Sequence, residues 1–234
     1  MERMIYTLIK FARRKEHAED LQNGLLYMNK LKTFREYRDL DGHLRSDPYE
    51  GVIGIFQPDK VKIEFQGTPI DTKSIVAPIL VHDKLLLEKY AFCMYSVNSQ
   101  NWTQVRGEEL EQFRSDLAIH EEVYGLGPYA TVITDTTMFV QRIRAAMTSK
   151  GHSWRLALVE YYDSSAQMGF FDQSLWGFHK RHEFQLLQEC RLIIDDLQST
   201  TDGPFMFDVG SLRDISIVTP SAYLKDSLNI DPRE

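Results

Sequence analysis

Short β-favouring segments separated by short helical ones are the feature that most limits how this chain can fold. Residues 4–11 are rich in Ile, Leu and Phe and predict a strand. Residues 14–23 predict a helix, and Gly24 is suited to the position that ends it. Residues 25–28 predict a second strand. This pattern favours a fold in which strands and helices share one core.

The rest of the chain continues the alternation. Residues 60–65 alternate charged and apolar side chains, which is typical of a half-buried strand, and residues 75–81 and 90–97 are apolar enough for interior strands. Further predicted elements are strands at 129–134 and 156–162, helices at 107–122 and 136–150, and a helix or strand at 212–218. No repeat or linker divides residues 1–234. The sequence therefore predicts a single α+β domain with a mixed, mostly antiparallel sheet and dispersed helices.

Composition disfavours some classes of partner. The chain carries 34 Asp and Glu against 27 Lys and Arg, a net charge of -7. Because phosphate binding relies on clustered Lys and Arg, nucleic acid is disfavoured as a partner. No segment approaches the roughly eighteen apolar residues of a membrane-spanning helix, and the N-terminus lacks the apolar stretch of a signal peptide. We therefore expect a cytoplasmic protein without a membrane partner.

The cysteines and histidines suggest structural roles. Cys93 and Cys190 both lie in apolar, strand-like segments, and two lone cysteines in a chain of this size predict reduced core residues. His179 and His182 have a spacing that two metal ligands can use, but the sequence suggests no third ligand. No metal site is predicted.

A first group of charged residues surrounds Pro48. Arg45, Asp47 and Glu50 lie within six residues, and Pro48 holds Asp47 in extended geometry, which gives these side chains a set direction. One interpretation is a structural turn in which Asp47 bonds nearby amides and Arg45 pairs with Glu50. The other is a ligand site, in which Arg45 binds an anion or a sugar with a carboxylate alongside.

A second group follows late in the chain. Lys180 and Arg181 could neutralise a phosphate, and Glu189 and Arg191 would share one face of a strand because alternate residues point the same way. The pair is compatible with a structural ion pair and with a catalytic role for Glu189. We expect both charged groups to lie in one cleft, since mutual pairing is the simplest explanation for two sets of mixed charge.

Several short motifs carry a resemblance to known families. The turn Arg45-x-Asp-Pro-Tyr-Glu-Gly51 and the segment Lys180-x-x-Glu-Phe-x-x-x-Gln-Glu-Cys-Arg191 resemble a broad bacterial and phage domain family of unknown function. Members carry a Phe-Asn-Asp-Pro-Phe-Glu-like turn, in which this chain has Ser46 and Tyr49 instead of Asn and the second Phe. They also carry a late Glu-x-Glu-x-Arg-like strand, where this chain has Gln188 near a usual Glu. The resemblance implies an intracellular single-domain protein from a mobile or phage-defence locus, and no established activity.

The chain also has a more distant similarity to ADP-ribosyltransferases. These enzymes run strand, helix, strand near the N-terminus and place an essential Glu on a late strand. The similarity implies that Tyr27 and Glu189 are the second and third residues of a catalytic triad and that NAD is the cofactor or substrate. The first strand offers Tyr6, Thr7 and Lys10 where that family has His or Arg.

Three functions are compatible with these residues. The first is a transferase or hydrolase of NAD or a related nucleotide, with Arg45, Lys180 and Arg181 holding phosphates and Glu189 stabilising an oxocarbenium charge. The second is a non-catalytic sensor or inhibitor that binds a nucleotide or a protein partner through the same cleft. The third is a metal-dependent nuclease, whose metal ligands would be the carboxylates of Asp47, Glu50 and Glu189.

Overall fold

The computed structural model describes residues 3–36, 46–72, 75–197 and 203–225. The α-helices are α1 (Lys15–Gln22), α2 (Leu31–Glu36), α3 (Lys84–Leu87), α4 (Leu110–Leu117) and α5 (Thr136–Lys150). The strands are β1 (Ile5–Ala12), β2 (Leu25–Lys30), β3 (Val52–Phe56), β4 (Ile63–Phe65), β5 (Thr68–Ile70), β6 (Ile79–His82), β7 (Tyr90–Asn98), β8 (Tyr129–Ile133), β9 (Trp154–Leu158), β10 (Glu160–Tyr162), β11 (Gly169–Phe170), β12 (His179–Arg181), β13 (Glu189–Ile194), β14 (Phe205–Asp208) and β15 (Ser216–Pro220). The 3₁₀ helices include Gly107–Glu109, Glu121–Leu126 and His182–Leu187.

Strand β7 is the centre of an eight-stranded sheet. One edge of β7 pairs with β13, which pairs in turn with β9. The other edge is shared by β1 and β2, and the sheet continues from β1 through β8 to β15 and from β2 to β14. All of these pairings are antiparallel. The predicted α+β class, with a mostly antiparallel sheet and scattered helices, is confirmed.

Apolar packing covers the two faces of this sheet in different ways. On one face α5 packs its buried residues Phe139, Ile143 and Met147 into one large cluster with side chains of β1, β2, β7 and β13. The other face carries two smaller clusters, one formed with α4 and one formed with α2 and α3. Because two separate clusters cover this second face, it can hold a cavity where neither fills the space.

Most predicted elements are present close to their predicted bounds. Strands β1, β2, β7 and β8 and helix α1 match within two residues, and α5 matches at both ends. The helix predicted at 107–122 divides into two 3₁₀ helices around α4. The strand predicted at 156–162 divides into β9 and β10, and 212–218 contains part of β15.

Two strand predictions need correction. Of residues 60–65 only β4 is strand, in a separate two-stranded hairpin with β5, and Phe65 is 67% exposed. Of residues 75–81 only β6 is strand; it is half-buried, and Val76 is fully exposed. Apolar composition predicted interior strands here, but neither segment joins the large sheet: β4 is mostly exposed, and β6 meets a core cluster through the partly buried Val81.

None of the helices in the described residues is both long and apolar enough to cross a membrane.

Candidate functional site

The pairing of β7 is interrupted on one edge. Strand β1 pairs with β7 from Tyr95 onward and β2 pairs with it at Tyr90 and Ala91, so among the described strands none pairs with Cys93 on this edge. The side chain of Lys10 reaches into the gap, where its Nζ donates a 2.6 Å hydrogen bond to the carbonyl of Cys93. Crevices in sheets form where neighbouring strands diverge in this way.

A cavity of about 620 Å³ lies at this gap. Strands β1, β2 and β7 line it together with α1 and α2, and Lys180 and Glu189 complete the wall. Its aromatic lining residues are Phe11, Tyr27, Phe34, Phe92 and Tyr95. Its polar lining residues include His17, Asp20, Asn29, Thr33 and Cys93. The cavity therefore combines aromatic surface with ionisable groups, as small-molecule sites do.

Three of the residues predicted from the sequence line this cavity. Tyr27 projects from β2 with 52% of its surface exposed, whereas Lys180 and Glu189 are almost fully buried. Lys180 is on β12 and Glu189 begins β13, and the 3₁₀ helix His182–Leu187 joins them. This helix ends at Gln188, whose left-handed φ of 38° turns the chain into β13. The sharp turn brings Glu189 beside Lys180.

Glu189 accepts hydrogen bonds from two cations. Its Oε2 lies 2.9 Å from Nζ of Lys180 and its Oε1 lies 2.7 Å from Nε of Arg191. Burial alone would raise the pKa of Glu189, but the positive charges of Arg191 and Lys180 outweigh burial and hold the pKa well below its ordinary value. Glu189 is therefore a carboxylate at every physiological pH.

Lys180 also keeps its charge despite burial. Burial lowers the pKa of Lys180, but the carboxylates of Glu189 and Glu50 more than offset it, so the pKa lies above its ordinary value. Nζ also lies 5.3 Å from the ring centre of Phe184. A charged ammonium therefore forms part of the cavity wall.

Arg191 connects this pair to the turn around Pro48. Its two terminal nitrogens bind Glu50 at 2.6 and 3.0 Å, and one of them also donates to the carbonyl of Gly177. Arg191 and Glu50 are both fully buried. Glu50 pairs with Arg191, so Arg45 is not its only candidate partner, and Arg45 itself lies outside the described residues.

Arg181 also binds the turn around Pro48, through Asp47. Its Nε donates a 2.9 Å hydrogen bond to Oδ1 of Asp47, which also accepts from the main chain of Tyr49. The guanidinium of Arg181 lies 4.6 Å from the ring centre of Tyr49 and forms an ion pair with Glu183. The two charged groups thus converge, as predicted, but Asp47, Glu50, Arg181 and Arg191 lie behind the cavity wall and do not line it.

Cys93 is a correction to the predicted pair of core cysteines. Cys190 is buried, whereas Cys93 is half-buried and lines the cavity, and both are free thiols. Burial, followed by the negative charge of Glu189, raises the pKa of each thiol to about 12. Both thiols are therefore protonated near neutral pH, and Cys93 offers the cavity a neutral sulfhydryl.

Each of the three carboxylates that the nuclease hypothesis names as metal ligands is paired with a cation. Asp47 pairs with Arg181, Glu50 with Arg191, and Glu189 with both Arg191 and Lys180. Within the described ranges, no group of three His, Cys, Asp or Glu side chains is arranged to hold a metal ion. This geometry offers the nuclease alternative no support.

Sequence reasoning missed several cavity residues. Asn29 and Thr33 were not predicted, Cys93 was predicted as a core residue and not as a lining residue, and Lys10 was noted only as a departure from a family pattern. They meet because β1 and β2 share one edge of β7. A long-range pairing of this kind leaves no local sequence signal.

No known protein family, curated protein or solved structure matches this chain.

Proposed function

We propose that the cavity binds a nucleotide-class small molecule, with NAD among the candidates. The observation that carries the proposal is that a half-exposed aromatic ring, Tyr27, and a buried ammonium, Lys180, line one cavity of about 620 Å³. A nucleotide has complementary parts, because its base can stack on an aromatic ring and its phosphate can bind an ammonium. A cytoplasmic location fits this proposal, and the phage-defence setting stays a prediction from the resemblance.

We propose binding rather than turnover. Cleavage of the nicotinamide bond of NAD would place positive charge on the ribose, and Glu189 would have to stabilise it. Both oxygens of Glu189 already accept from cations, and these cations offset its negative charge. A sensor or inhibitor role therefore has more support than an ADP-ribosyltransferase-like or NAD-hydrolysing reaction.

A thermal-shift series tests this proposal. The protein is titrated with ADP, ATP, ADP-ribose and NAD, and we expect a Tm that rises with the concentration of at least one of them, because a ligand that binds only the folded state stabilises it. Tyr27→Ala should weaken binding about tenfold, in line with the loss of one stacked base. Tyr223→Ala removes an exposed tyrosine that does not line the cavity and should leave binding unchanged.

The same samples separate the alternatives. Incubation with NAD should release no nicotinamide beyond the rate without protein, and enzyme-dependent release would favour the catalytic alternative. The absence of any stabilisation by the four ligands would refute nucleotide binding and leave a protein partner as the better hypothesis. Equal losses in Tyr27→Ala and Tyr223→Ala would show that the ligand binds elsewhere.

A further inference from the structure

Of the cations that the sequence predicted for the site and the structure describes, Lys180 is the one that lines the cavity. Lys180 is only 4% exposed, yet it forms part of the cavity wall. An ammonium has three N–H donors, and within the described residues that of Lys180 makes one side-chain hydrogen bond, to Glu189. A buried cation with donor capacity left, on a residue that lines a cavity, is suited to bind an anionic ligand.

The neighbouring arginines are not available in the same way. Arg191 is fully buried, does not line the cavity, and directs its nitrogens at Glu189, Glu50 and the carbonyl of Gly177. Arg181 binds Asp47 and Glu183 on the far side of the wall. Of the three late-chain cations, Lys180 is therefore the one placed to contact an anion in this cavity, whose wall also carries Lys10 and Arg13.

Glu189 differs from a catalytic carboxylate in what it presents to the cavity. Its Oε1 accepts from Arg191 and its Oε2 accepts from Lys180, and its side chain is 7% exposed. The position of the carboxylate is fixed by Arg191, which is itself clamped by Glu50 through two hydrogen bonds. This chain of contacts holds the end of Lys180 in one place.

We infer that Lys180 binds the phosphate end of the ligand and that Glu189 is a positioning residue that orients Lys180 and keeps it charged. The inference rests on the proposed nucleotide site and adds which side chain binds the phosphate. It implies that Lys180 is one of the side chains through which the site discriminates a nucleotide from the corresponding nucleoside.

Calorimetric titrations with ADP and adenosine test the assignment. Wild type should bind ADP more tightly than adenosine, and Lys180→Gln should weaken ADP binding about tenfold or more while adenosine binding stays unchanged. Lys180→Arg retains the cation and should retain most of the preference. Lys30→Gln is the matched control: Lys30 is 2% exposed and paired with Glu88 at 2.8 Å, but it does not line the cavity.

A charge-balanced variant guards against misfolding. Lys180→Gln combined with Glu189→Gln removes one positive and one negative charge and leaves two amides that can bond each other. This double variant should fold, bind adenosine like wild type, and lose as much of the preference for ADP as Lys180→Gln does.

The positioning role of Glu189 has its own readout in a pH profile. In wild type, ADP affinity should be flat between about pH 7 and about pH 9, because Lys180 stays charged throughout. In Glu189→Gln, burial of Lys180 is no longer offset by that carboxylate, so ADP affinity should fall as pH rises while adenosine affinity does not. A purely structural role would instead weaken both ligands equally at every pH.

The outcomes distinguish the two proposals. If wild type binds neither ADP nor adenosine, the nucleotide site and this inference both fail. If wild type binds ADP and Lys180→Gln keeps its full preference over adenosine, the nucleotide site stands and the assignment of Lys180 is wrong. An equal loss of ADP preference in Lys30→Gln would likewise overturn the assignment.

Discussion

Arg191 is the fully buried residue that joins three separate parts of the chain. It binds Glu50 in the turn before β3, Glu189 on its own strand, and the main chain of Gly177. The sequence predicted that the two groups of mixed charge would meet, because mutual pairing was the simplest explanation for two such groups at distant positions. It did not predict that most of these charged residues would be buried away from the cavity, since burial depends on how the turn packs against β13.

Loss of Arg191 should be strongly destabilising. Arg191→Met removes the cation and leaves Glu50 and part of Glu189 as buried carboxylates without their main partner, which typically costs about 3–5 kcal/mol. Arg142→Met is the control, because Arg142 binds Asp214 in the same two-pronged way at the surface. The loss of stability in Arg142→Met should be much smaller, because exposed pairs are screened by water. Urea unfolding measures both, and equal losses would contradict the role of burial.

At the scale of elements, local signals succeeded where an element joins the large sheet or packs on it. Helix α5 was predicted at both ends; in the structure the side chain of Asp135 caps its start and Gly151 ends it in the left-handed region. Strand β7 was predicted because residues 90–97 are mostly apolar, and it lies at the centre of the sheet. The hairpin of β4 and β5 shows the limit, because an alternating pattern does not reveal whether a core lies beside it.

The junction between α1 and β2 depends on Gly24. Its φ is +97°, and a Cβ at this position would lie 2.0 Å from the carbonyl oxygen of Gly210. Gly24→Ala should therefore cost more than about 2 kcal/mol, because backbone strain and a backbone clash add together. Gly151→Ala has a φ of +70° with nothing within 4 Å of the added Cβ, and should cost about 1 kcal/mol.

Comparison of the two variants isolates the close approach. Both substitutions place a side chain in the left-handed region, so the difference in unfolding free energy reports the contact with Gly210. If Gly24→Ala were no more destabilising than Gly151→Ala, the junction would have room to adjust. A loss of ligand binding in Gly24→Ala alone would further indicate that this junction shapes the cavity, since β2 carries Tyr27.

For the molecule as a whole, the fold class could be predicted and the cavity could not. The α+β class follows from the alternation of strand and helix patterns, which can be recognised locally in the sequence. The cavity arises because β1 and β2 share one edge of β7 and leave Cys93 unpaired by any described strand on that edge. That arrangement brings together residues far apart in sequence, such as Tyr27 and Glu189, and only the assembled sheet defines it.

Stability of the whole molecule should fall in acid. Burial alone would raise the pKa values of Glu189 and Asp195, but their cationic partners lower both, Arg191 and Lys180 for Glu189 and Arg155 and Lys89 for Asp195. The unfolded chain therefore binds these protons at a higher pH than the folded protein does. Stability from these carboxylates is complete above about pH 5 and is lost as pH falls from about 4.5 toward their lowered pKa values.

Urea unfolding at a series of pH values checks this expectation. The free energy of unfolding should decrease by up to about 1.4 kcal/mol per pH unit for a carboxylate such as Glu189 that is protonated only in the unfolded state. The pKa of Lys180 is raised, so its contribution should persist until well above neutral pH. Glu189→Gln should unfold more easily at pH 7 yet show a shallower acid slope, because one titrating group is gone. An unchanged slope in this variant would mean that other carboxylates drive acid unfolding.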